Sequence, residues 1–117
     1  MKIVILTTNT PHHIFFVKEL SKNYKLSKII VETSSIKPGF DTFHHFEKIR
    51  NDYESETLLK NKKTRFVDFA SAEFYESVNQ RKCVDEINSV GPDVVITFGT
   101  GKIKNDLINI CPNGFLL

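Results

Sequence analysis

Three stretches concentrate the side chains that could do chemistry. Between Thr7 and His13 the sequence reads Thr-Thr-Asn-Thr-Pro-His-His, crowding hydroxyl, amide and imidazole groups where an apolar run gives way to a helix-forming one. Free N–H groups at a helix start attract anions, so Thr8, Asn9, Thr10, His12 and His13 are candidates to hold a phosphate-bearing small-molecule substrate. Plain helix capping, which needs only one of these residues, is the competing explanation. The second stretch is Gly99-Thr100-Gly101-Lys102. Two glycines directly after an apolar run let backbone approach a ligand closely, and Lys102 can reach a carboxylate or phosphate; an ordinary turn explains the same residues. The third, Thr33 to Gly39, carries turn residues in Ser34-Ser35 and Lys37-Pro38-Gly39.

Other chemistries find less support. His12-His13 and His44-His45 are adjacent pairs, and neighbours on a helix point about 100° apart, so neither pair chelates one ion. No HExxH pattern accompanies them, and no metal is expected. Cys83 and Cys111 form no CxxC, which argues against a zinc knuckle or a disulfide framework and favours a reducing cytoplasm. Cys83 falls on the core face of a helix, where a thiol acts as a small hydrophobe. The first loop lacks both GxGxxG and GxxxxGK[ST], against nicotinamide chemistry and P-loop phosphoryl transfer.

Composition narrows the class further. The chain has 117 residues, 40% of them hydrophobic, enough for one core and too few for two. Sixteen Lys and Arg against 14 Asp and Glu leave a net charge of +2, too weak a field to wrap nucleic acid or an anionic membrane. No apolar stretch approaches the roughly 18 residues of a membrane span. The opening Met-Lys-Ile-Val-Ile-Leu is too short for a signal-peptide core and reads as a strand.

The elements that must position these residues follow from periodicity. Ile3-Val4-Ile5-Leu6 is a continuous apolar run, fitting a parallel strand from Lys2 to Thr8 covered on both faces. Thr10 is a suitable cap and Pro11 a suitable first residue for an amphipathic helix from Pro11 to Asn23. Leu26 to Glu32 makes the second strand, so the three form a right-handed βαβ unit. A charged helix with spaced aromatics is expected from Asp41 to Lys60, its basic end complementing the helix dipole. From Ala72 to Val90 one helix cannot bury both Phe74 and Val78 and the opposite set Cys83, Ile87 and Val90. The segment should divide into a short strand from Tyr75 to Val78 and a helix from Gln80 to Val90, capped by Asn79 and ended by Gly91-Pro92. Asp93 to Phe98 is a fourth strand, Ile103 to Ile110 includes a short helix, and the sheet resumes at Phe115. The fold class is α/β, an open doubly wound parallel sheet, with ligands expected outside the carboxyl ends of the strands.

Three segments resemble the 10-formyltetrahydrofolate-dependent formyltransferases. Asn9-Thr10-Pro11 is similar to the Gly-Thr-Pro of the methionyl-tRNA branch. Pro92-Asp93-Val94-Val95-Ile96-Thr97-Phe98-Gly99 with Gly101-Lys102-Ile103 resembles the family's segment of Pro-Asp, apolar strand, aromatic-Gly and Ile-Leu. Pro112-Asn113-Gly114-Phe115-Leu116-Leu117 looks like the approach to the strand bearing the family's Asn-x-His pair. The resemblance implies a Rossmann-like N-terminal domain over residues 1–117, incomplete at its C-terminal end, with the Asn-x-His pair and an Asp expected beyond Leu117. It implies 10-formyltetrahydrofolate as the cofactor, held by Phe98, Gly99, Gly101, Lys102, Ile103 and Lys104, although Lys104 stands where the family usually has Leu. The Thr7 to His13 loop would face an amine substrate, often through its phosphate. The nucleotide-sugar branch, which formylates a 4-amino sugar, is the expected one; methionyl-tRNA comes next, as the one nucleic acid partner considered. A homodimer is compatible with this reading, since an apolar sheet edge near Phe115 to Leu117 should pair with a neighbour or fray. The alternatives are the nucleotide-binding lobe of a glycosyltransferase and an interaction domain without a ligand.

Overall fold

The computed structural model describes residues 1–33, 45–58, 64–112 and 114–116, and only the backbone of residues 45–47, 51, 55 and 58. The chain runs β1 (Ile3–Thr8), α1 (Pro11–Ser21), β2 (Lys28–Glu32), α2 (His45–Leu58), a 3-10 turn (Phe66–Asp68), β3 (Ala72–Tyr75), α3 (Arg81–Val90), β4 (Val94–Phe98), α4 (Asn105–Ile108) and β5 (Phe115–Leu116). The strands form one sheet in the order β3-β2-β1-β4-β5, and every pairing is parallel.

Alternation along the central strands splits the core into two layers, because successive strand residues face opposite sides. Ile3 and Ile5 of β1, with Ile29 and Val31 of β2, pack against Ile14 and Val17 of α1 and against Phe66. Val4, Leu6, Ile30 and Val95 face the other way onto Val84 and Ile87 of α3 and Leu107 of α4. The helices therefore flank both faces, as the unbroken apolar runs anticipate. The crossover through α1 moves outward to β2, while the one through α3 moves back past β1 to β4. Two crossovers of the same hand running in opposite directions must carry their helices on opposite faces, and these do.

Some boundaries depart from the sequence reading. Thr10 caps α1 as expected, its hydroxyl accepting from His13 N at 3.4 Å, and Pro11 takes the first helical position. The helix ends at Ser21 rather than Asn23, because the N–H groups of Asn23 and Tyr24 both close back onto Leu20 O. The expected strand from Tyr75 to Val78 lies earlier, at Ala72–Tyr75. The ladder to β2 stops at the Glu32–Tyr75 pair, and Val78 N–H then leaves it to donate to the Glu32 side chain at 2.9 Å. Phe74, 54% exposed, lies on this edge strand and not with Val78 in the core. Asn79 does not cap α3; Gln80 holds that position through its backbone conformation, and the Asn79 amide is used elsewhere. At the far end Gly91 adopts φ 66 and closes the helix. Of the expected helix from Asp41 to Lys60, His45–Leu58 is helical; residues 41–44 and 59–60 lie outside the described residues.

At the start of β5, Val95 N–H donates to Gly114 O at 2.9 Å. A Cβ on Gly114 would fall 2.1 Å from the Asp93 carbonyl oxygen and 2.8 Å from Cys111 Sγ. Gly114→Ala should therefore lose about 1–3 kcal/mol of stability, as overpacked sites do, read as a lower urea midpoint. An unchanged midpoint would contradict the close approach of Gly114 to Asp93.

Candidate functional site

Strand order reverses between β1 and β4, and in open parallel sheets the crevice at such a point, outside the carboxyl ends of the strands, receives the ligand. In this protein a side chain fills it. His13, in the first turn of α1, is only 7% exposed and lays its ring against the β4 end. The ring meets Phe98 edge to face with centroids 4.7 Å apart, and Phe98 stacks on Phe16 at 4.5 Å. Gly99 makes room for this: it adopts φ 86, and a Cβ there would lie 2.3 Å from His13 Cε1 and 2.5 Å from Nε2. Thr7 Oγ1 ties the two strand ends together by donating to Phe98 O at 2.8 Å.

His13 Nδ1 lies 2.7 Å from Thr8 Oγ1 and 3.2 Å from Thr8 O. A carbonyl only accepts, so the arrangement that uses both contacts has the proton on Nδ1 and leaves Nε2 as an acceptor facing Gly99. Burial, and then the neighbouring His12, push the His13 pKa below its ordinary value, which favours the neutral ring. The His12 ring lies beside it, centroids 4.1 Å apart, with Nδ1 2.8 Å from Glu54 Oε2 on α2 and 3.3 Å from Thr10 Oγ1. Arg50 lies 3.9 Å from the other Glu54 oxygen. The loop expected to face the substrate thus divides: His13 plugs the crevice, His12 joins α1 to α2, Thr8 and Thr10 hold the two imidazoles, and Asn9 is exposed. Pro11 brings no N–H and the His13 N–H is taken by Thr10, which reduces what the first turn can offer an anion.

An open cleft lies beside the plug. It occupies about 470 Å³ and is lined by Phe98, Gly99, Thr100, Gly101, Ile103 and Ile108 among others. Four of the residues expected to hold the cofactor, Phe98, Gly99, Gly101 and Ile103, border it; Lys102 and Lys104 border an adjoining depression with Asn105 and Asp106. Of the loop's two glycines only Gly99 has a positive φ. The walls combine backbone polar groups with two isoleucines, a lining suited to a flat molecule with polar edges.

Sequence reasoning missed Glu32, Asn79 and Glu54. Glu32 follows the apolar run Ile29-Ile30-Val31 in β2, and a carboxylate there signals a demand for donors; its oxygens accept from Val78 N at 2.9 Å and Gly101 N at 3.0 Å. Asn79 was legible only as a cap. Glu54 reaches His12 from an element with no sequence cue to that contact. Cys83 is buried, and burial first, then Glu32 and Glu86, push its thiol up to about 12, an unreactive state. No cluster of three metal-ligating side chains occurs among the described residues. His44 and the His45 side chain lie outside them, as do residues 34–39. No described helix is long and apolar enough to cross a membrane.

The plug has a pH signature. Because the folded-state pKa of His13 lies below its ordinary 6.5, the unfolded chain binds more protons just below that pH. Stability from the neutral ring is complete above about pH 6.5 and declines as the pH falls through that value toward the lowered one. Thermal melts of the wild type should show this loss between neutral and mildly acidic pH, and His13→Gln should flatten it. Identical slopes would contradict a buried neutral His13.

No protein-family model matches this chain, and no curated protein does.

Proposed function

We propose that this chain is the cofactor-side part of a formyltransferase that moves a formyl group from 10-formyltetrahydrofolate to an amine, most concretely the 4-amino group of a nucleotide-linked sugar. The carrying observation is the cleft outside the carboxyl end of β4, formed around Phe98-Gly99 and walled by Ile103 and Ile108, with β5 pairing parallel to β4 beside it. A pterin is flat and carries hydrogen-bonding groups along its edge, so loop backbone at one rim and isoleucine side chains on the walls suit it. In the family that the motifs resemble, the segment after β5 brings the Asn-x-His pair to such a cleft. There the Asn-x-His pair would stabilise the oxyanion formed as the amine attacks the formyl carbon, and the family's Asp would take the amine proton while the bond from the formyl carbon to N10 is broken.

The roles of this chain's residues in that reading are to bind and orient. Gly99 and Gly101 let the folate approach the backbone, Ile103 and Ile108 exclude water from the ring, and Lys102 and Lys104 offer cations to the carboxylates of the glutamate tail. No Asn-x-His sequence occurs within the 117 residues, so the property expected of this chain is cofactor binding rather than turnover.

Calorimetric titration of the chain with 5-formyltetrahydrofolate, a stable analogue, should give saturable binding with a Kd on the order of micromolar, weakened about tenfold or more by Ile103→Asp through burial of a charge against the ring. Saturation by a nucleotide sugar alone would favour the glycosyltransferase-lobe reading. Binding of neither would leave the cleft without the proposed cofactor.

A further inference from the structure

The loop between β4 and α4 forms the cleft, yet among the described residues no strand pairs with residues 101–104. Three of their backbone groups, Gly101 N–H, Lys102 C=O and Lys104 N–H, are taken by two side chains that do not line the cleft. Glu32, at the end of β2 and 6% exposed, accepts from Gly101 N at 3.0 Å through one oxygen and from Val78 N at 2.9 Å through the other. Asn79, next along the chain from Val78, donates from Nδ2 to Lys102 O at 2.7 Å and accepts at Oδ1 from Lys104 N at 2.9 Å. The contacts interlock: Glu32 fixes the β3–α3 connection at Val78, and that connection presents Asn79 to the cleft loop.

The geometry points to Glu32 and Asn79 as positioning residues, a clamp that holds Gly101, Lys102 and Lys104 in the one loop shape that leaves the cleft open. Lys104 is also the residue that starts α4, so the clamp sets where Ile108 enters the cleft wall. The two side chains differ in what they risk. Gln in place of Glu32 puts an NH2 group against one of two N–H donors, a buried mismatch. Asn79 is only partly buried, so its truncation should loosen the loop and spare the fold. The amide's two ends also separate: Asn79→Asp keeps an acceptor for Lys104 N and loses the donor to Lys102 O.

The affinity arm of the test rests on the folate reading; the exchange arm does not. Amide hydrogen exchange and titration with 5-formyltetrahydrofolate would be measured on the wild type, Asn79→Ala, Asn79→Asp and Glu32→Gln. Asn79→Ala should speed exchange at Lys104 about tenfold while Ile5 and Ile30 in the central strands keep their protection, and Glu32→Gln should do the same at Gly101 or Val78, whichever N–H faces the new amide NH2. Folate affinity should fall about tenfold in Asn79→Ala and recover in part in Asn79→Asp. Unchanged exchange at Lys104 in Asn79→Ala, or equal acceleration at Lys104, Ile5 and Ile30, would overturn the clamp. If Glu32→Gln does not fold, the two Asn79 variants decide. A wild type that binds no folate overturns the cofactor reading, and the exchange result still decides the clamp.

Discussion

A carboxylate taken out of water must have its oxygens satisfied by donors, and the buried Glu32 side chain meets that demand with two backbone N–H groups from two separate loops. Much of the carboxyl end of the sheet follows. β3 stops at Tyr75, and three residues on the Val78 N–H goes to the Glu32 side chain rather than to a strand partner. Val78 instead turns into the core beside Leu6 and Ile30, and α3 starts three residues later. The Gly101 N–H donates to the other Glu32 oxygen, which ties the loop after β4 to the end of β2. Charge-assisted bonds of this kind are roughly twice as strong as neutral ones, and losing one partner leaves a buried group unpaired. That asymmetry is why a single acidic residue can govern the shape of two connections.

The same end of the sheet shows why its ligand space is displaced. The switch-point crevice is taken by His13, which fits only because Gly99 has no Cβ, and by Phe98, which bridges His13 and Phe16. A dinucleotide's pyrophosphate would need the space the imidazole occupies and the helix N–H groups that Pro11 and Thr10 withdraw. The open cleft at this end of the sheet lies instead between Phe98-Gly99 and the side chains of Ile103 and Ile108. Gly99 serves both sides at once: its positive φ turns the chain out of β4, its missing side chain admits His13, and its backbone forms part of the cleft.

The sheet was legible because its apolar runs are physically unambiguous. Ile3 to Leu6, Ile29 to Val31 and Val94 to Ile96 have no polar alternation, and a strand buried on both faces needs none. The start of α1 was legible because Thr10 and Pro11 act locally. What escaped depends on distant partners. The Val78 N–H is taken by a carboxylate 46 residues away, and His12 is matched by Glu54 42 residues away. His13 read as a polar loop residue because nothing in its neighbourhood announces that a glycine after β4 leaves a slot for its ring. The glycine-rich loop itself was picked out from its spacing, while the side chains that hold it were not, since Glu32 looked like a strand terminus and Asn79 like a helix cap.

The central claim is one of location: the proposed folate enters the cleft bordered by Phe98, Gly99, Gly101 and Ile103, not the β1–β4 crevice that His13 occupies. Backbone amide chemical shifts followed during addition of 5-formyltetrahydrofolate to the chain test this directly. The account predicts the largest changes at Gly99, Gly101 and Ile103, with Asn9, Thr10 and His12 nearly still. Changes concentrated on Asn9 to His13, or none at Gly99 to Ile103 at saturating folate, would contradict it.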